Sequence, residues 1–106
     1  MSDMKNFGYL GYSFQLKLLN LMITDCNFFQ SIIDAILPKY FDNQYFKLIM
    51  QLIKEYYEKY QTSPSFDAID QLTRIEISSE MARKNIFDML KDIKEASFED
   101  HLFIKE

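Results

Sequence analysis

Valine is missing from this 106-residue chain, and three other residue types are scarce: one Cys, two Gly and two Pro. Each shortage excludes something. A lone thiol, Cys26, cannot form an internal disulfide and suits a reducing, cytoplasmic setting. Few glycines and prolines leave little material for hairpin turns, and the missing valine removes a favoured strand residue. A phosphate-cradling GxxxxGK[ST] loop needs two glycines five apart and a lysine after the second. Here Gly8 and Gly11 are the only glycines and Tyr12 follows them, so nucleotide hydrolysis by that route is excluded. No apolar run reaches the roughly 20 residues of a membrane span. The opening MSDMKNFGYLGYS lacks the basic start and long apolar middle of a signal peptide. With one His and one Cys, a four-ligand structural zinc site is out of reach, and no metal is expected.

What remains is material for a single helical domain. The chain is 48% hydrophobic and 26% charged, with a net charge of −4. Leu, Ile, Lys, Glu and Met are plentiful and favour helix. An acidic balance argues against strong direct nucleic-acid binding, because a duplex binder needs a basic stripe to displace phosphate counterions. The expected fold is all-α, a compact globular bundle of five to six short helices.

Residues 1–12 read as a lead-in carrying Phe7, Tyr9 and Tyr12, with the helical domain spanning 13–106. Ser13 is the expected N-cap of a helix over 14–24. That helix is apolar nearly all round, which predicts a central position. Asp25 or Asn27 caps a second helix, whose Phe28, Phe29, Ile32, Ile33, Ile36 and Leu37 share one face until Pro38 ends it. Asp42 is the expected cap of a third helix over 43–60, with Tyr45, Ile49, Leu52, Tyr56 and Tyr60 as its stripe. QTSPSF breaks the chain, and Ser65 caps a short helix over 66–72. Ser78 or Ser79 caps a helix to about residue 95, with Ala82, Ile86, Met89, Leu90 and Ile93 inward. Ser97, with Asp100 three residues on, resembles a capping box for a last helix still running at Glu106. The pattern therefore expects a piece of a longer protein. Leu16, Leu19, Ile33, Phe46, Ile53 and Ile86 are the expected structural residues.

The search for chemistry returns little. Cys26 lies between Asp25 and Asn27, the wrong charge for an activated thiol. His101 reads as solvent-facing. Glu55, Glu58, Glu95, Glu99 and Asp100 fall on polar faces and helix starts, where no shifted acid–base pair is expected. On the fifth helix, Arg83, Lys84, Lys91 and Lys94 are interleaved with acids. No catalytic, cofactor-binding or metal residue is assigned. The aromatics are the surplus: ten Phe and seven Tyr exceed what such a domain encloses easily. Tyr56, Tyr57 and Tyr60 point at three different angles from one helix end. Tyrosine buries area while keeping a polar tip, which suits a contact surface. The expected partner interface is Tyr56, Tyr57 and Tyr60, then Phe7, Tyr9 and Tyr12.

The order of features resembles the N-terminal domain of DnaB-type replicative helicases, in the T4-like phage branch. SFQLKLLNLMITDCNFFQSI resembles that domain's opening helices. LPKYFDNQYFKLIMQLIKEYYEKYQTSPSFDAIDQL is similar to its next section, with an aromatic connector, a third helix and a Pro-containing break. SFEDHLFIKE is similar to the approach to the linker. The resemblance implies a non-catalytic collar domain that self-associates, as a dimer or within a hexamer, and contacts primase and the helicase loader. ATP and Mg would belong to a separate C-terminal domain. Two alternatives stay open: a stand-alone helical regulator of phage type that binds a host protein, and an enzyme using the carboxylates.

Overall fold

Four of the five α-helices open on a side-chain cap, and those caps set where the chain turns. The computed structural model describes residues 11–96. Within them, α1 is Tyr12–Thr24, α2 Cys26–Ile32, α3 Gln44–Tyr60, α4 Phe66–Glu76 and α5 Glu80–Glu95, with a 3₁₀ turn at Pro38–Tyr40. Among the described residues 78% are helical and none is in a strand. The fold is all-α, as composition predicts.

The caps refine the expected boundaries. The Phe28 N–H donates to the Asp25 carboxylate at 3.0 Å, so Asp25 rather than Asn27 starts α2. The Tyr45 N–H donates to the Asn43 side chain at 2.7 Å, so Asn43 caps α3 in place of Asp42. Ser65 and Ser79 accept from the Ala68 and Ala82 N–H groups at 3.1 and 3.2 Å. Such a cap contributes about 1 kcal/mol. Ser13 is not a cap. α1 begins at Tyr12, behind Gly11, whose φ of 89° lies in the region open to glycine. Tyr12 therefore belongs to the first helix and not to a lead-in.

Two lengths also differ from the sequence reading. α2 ends at Ile32, although Ile33 and Ile36 stay buried. Pro38 holds Leu37 extended (φ −112°, ψ 148°), and the Ile33 carbonyl accepts from Lys54 Nζ of α3 at 3.0 Å. The apolar periodicity reports burial there after the helix has stopped. α4 runs past Leu72 to Glu76 because Thr73 is wholly buried. Its hydroxyl donates back to the Ile69 carbonyl at 2.8 Å.

The centre of the bundle is not α1 alone. α3 packs on the 3₁₀ turn, α4 and α5, while α1 packs on α2 and α5. Phe46, Ile49, Met50 and Ile53 of α3 are fully enclosed with Leu19 and Met22 of α1, Phe29, Phe41, Ile69, Ile86 and Ile93. Of the expected structural residues, Leu19, Ile33, Phe46, Ile53 and Ile86 are buried, and Leu16 is only half-buried. Along α1 from Phe14 to Ile23 every residue is buried or half-buried, and Leu16 packs against the core. Side-chain ties cross between elements. Asn20 Nδ2 donates to the Ile93 carbonyl at 2.9 Å and Asn85 Nδ2 to the Tyr45 hydroxyl at 2.9 Å. Arg83 Nη1 donates to the Ile77 carbonyl at 3.0 Å, closing the α4–α5 turn.

A candidate docking groove at the end of α3

α3 has 17 residues and is about 25 Å long at 1.5 Å per residue. Its buried residues stop at Ile53. From Lys54 to Tyr60 every residue is half-buried or exposed, so the last two turns rise past the interior. Their end is fixed by Gln61, which adopts the left-handed conformation (φ 59°, ψ 29°). The Gln61 N–H donates to the Tyr57 carbonyl at 2.7 Å. Its Nε2 donates to the same carbonyl at 3.1 Å, and Gln30 Nε2 donates to the Gln61 carbonyl at 3.2 Å. These bonds satisfy carbonyls that a helix end leaves orphaned and hold the tyrosine turns in place.

Beside those turns lies a groove between α3 and α4, of about 340 Å³, lined by Glu55, Tyr56, Glu58, Lys59, Tyr60, Leu72 and Glu76. That volume is at the small end of the roughly 300–1,000 Å³ seen for ligand clefts. The Tyr56 and Tyr60 rings meet at 4.5 Å between centroids, tilted 47°. Tyr60 is 59% exposed. Leu72 supplies an apolar patch, and three carboxylates and one lysine supply the charge.

The structure divides the tyrosines that the sequence grouped. Tyr56 and Tyr60 share the groove. Tyr57 turns away and packs edge-on against Phe29 at 5.4 Å, so it ties α3 to α2. Tyr12 is 47% exposed, yet its ring stacks on Phe46 at 5.3 Å and its hydroxyl donates to Asp92 Oδ2 at 3.4 Å. Burial and then the Asp92 carboxylate raise its phenol above the ordinary pKa. Phe46 and Tyr60 stand 14 positions apart on α3, roughly 21 Å along its axis. Tyr12 is thus at the far end and shares no surface with Tyr60. Phe7, Tyr9 and His101, with the expected last helix, lie outside the described residues.

Sequence reasoning missed half of the groove. Glu76 lies beyond the helix expected over 66–72, and Leu72, half-buried against the core, also lines the groove. Glu55 and Glu58 read as an ordinary wet side. The signal was there in the spacing: Leu72 and Glu76 are four apart, as are Asp70 and Arg74, which pair at 3.5 Å.

A second, smaller groove of about 250 Å³ lies between α4 and α5, lined by Phe66, Asp67, Asp70, Phe87, Leu90, Lys91 and Lys94. Its rings are already covered by cations. Arg74 sits 4.9 Å from the Phe87 centroid and Lys94 6.0 Å from that of Phe66. Cys26 is exposed at the start of α2. Among the described residues no three His, Cys, Asp or Glu side chains gather to hold a metal ion, and no helix is long and apolar enough to cross a membrane. Neither a protein-family model, nor a curated protein, nor a solved structure matches this chain.

Proposed function

We propose that this chain is a non-catalytic helical interaction domain that docks a partner protein through the Tyr56–Tyr60 groove. The observation that carries the reading is the ring pair of half-buried Tyr56 and exposed Tyr60, set in a groove beyond the last enclosed residue of α3. Rings that stabilise a core are enclosed, as Phe29, Phe41 and Phe46 are. A tyrosine pair only partly covered, in a concave site, has the make-up of a protein interface, where tyrosine is enriched.

The order of the helices and of their breaks supports a finer reading, the collar domain of a DnaB-type replicative helicase. In that role the domain self-assembles and docks primase or the helicase loader. Cofactor chemistry would belong to a separate ATPase domain. The test compares Tyr60→Ala with Ile53→Ala by thermal melting and by sedimentation velocity, alone and mixed with the primase of the same replication system. Tyr60→Ala is expected to weaken association with the primase about tenfold or more, with little change in self-association or melting. Intact association with the primase, or an equal loss of folding, overturns the reading.

A further inference from the structure

We propose that the α3/α4 groove takes a basic protein segment, which lays an arginine or lysine on the Tyr56 and Tyr60 rings and an apolar neighbour on Leu72. This rests on the docking role above and names the chemistry of the partner. Glu55, Glu58 and Glu76 face the groove against a single cation, Lys59. Among the described residues none of these three carboxylates forms an ion pair. Two carboxylates elsewhere do have local ion partners, Asp70 with Arg74 at 3.5 Å and Asp88 with Lys84 at 3.3 Å.

The groove on the other side of α4 shows how the same components behave when the cation is the chain's own. There Arg74 and Lys94 lie over Phe87 and Phe66. In the α3/α4 groove no cation of the described residues lies over Tyr56 or Tyr60. A ring face carries negative potential, and unpaired carboxylates around it add to the attraction for a guanidinium or ammonium group. Charge does not favour a second copy in this seat. The chain has a net charge of −4, and the α4/α5 groove sets Asp67 and Asp70 against its Lys91 and Lys94.

The probes are three short fluorescent peptides of one length, with leucine alternating with arginine, citrulline or glutamate. Binding to the full chain is read by anisotropy at low and high salt and by amide shifts on an isotope-labelled sample. The arginine peptide is expected to shift Tyr56, Tyr60 and Leu72, and to bind about tenfold more tightly than the citrulline peptide. Rising salt should weaken it, since the Debye length falls from about 10 Å at 0.1 M to about 3 Å at 1 M. The triple variant E55Q, E58Q, E76Q should lose a similar factor. If that variant fails to fold by circular dichroism, the citrulline and salt comparisons decide. Citrulline binding as tight as arginine, shifts confined to other surfaces, or no binding at all overturns the proposal. So does self-association that Tyr60→Ala abolishes, since a second copy then fills the groove. A citrulline or glutamate peptide seated in the groove defeats the basic partner but leaves the docking role standing. The docking role itself falls only on the Tyr60→Ala association test.

Discussion

The two ends of α3 use the same residue types for opposite purposes. From Phe46 to Ile53 the helix packs on the 3₁₀ turn, α4 and α5, with Tyr12 of α1 stacked on Phe46, and its inward residues are enclosed. From Lys54 to Tyr60 no residue is enclosed, and the rings are shared between α2 on one side and an open groove on the other. One amphipathic pattern thus continues unbroken from core into surface. The difference teaches that aromatic content does not mark an interface; what marks it is where a regular helix passes the edge of what it packs against.

The sharpest way to break this comparison is truncation at each end. Phe46→Ala should cost about 3–5 kcal/mol, because it removes an enclosed ring and leaves a cavity; urea unfolding measures it. Tyr57→Ala should cost about 1–2 kcal/mol, through the lost edge contact with Phe29 and a half-buried ring. A loss below about 0.5 kcal/mol would return Tyr57 to the docking surface. Asn43→Ala should cost about 1 kcal/mol by leaving the Tyr45 and Phe46 N–H groups uncapped, seen as a lower urea midpoint with an unchanged slope. Tyr60→Ala should change stability by less than about 0.5 kcal/mol, so a melting shift as large as that of Tyr57→Ala would contradict its placement in an open groove.

The smallest effect tests the far end. The Tyr12 phenol is an acid whose pKa is raised in the fold, by burial first and the Asp92 charge second. The folded state therefore holds the proton more tightly than the unfolded chain. That contribution is fully present below the unfolded phenol value of about 10 and fades as pH rises through the higher folded value. Melting temperatures taken from pH 8 to 11 should fall less steeply in the alkaline range for Tyr12→Phe than for the parent. Parallel curves would remove the raised Tyr12 phenol from the account.

Much of the fold is legible in the residues because it is local. Asp25, Ser65 and Ser79 announce helix starts by accepting from the backbone N–H three residues ahead. Pro38 and Pro64 announce breaks by restricting the residue before them. The end of α2 was not legible, since Ile33 and Ile36 keep a helical spacing of burial after the backbone has turned. Nor was the reach of α4, because Thr73 and Ile75 are weak helix formers and the continuation depends on Thr73 being covered.

Of the groove, the sequence by itself determined the crowd of tyrosines and the acids among them, because helical spacing and composition are properties of the chain. Only the tertiary structure decided that Tyr56 and Tyr60 face Leu72 and Glu76 while Tyr57 seals against Phe29. Period alone assigns a residue its angle around a helix. Whether that angle meets a neighbour or open water depends on which helices lie alongside and how far they extend.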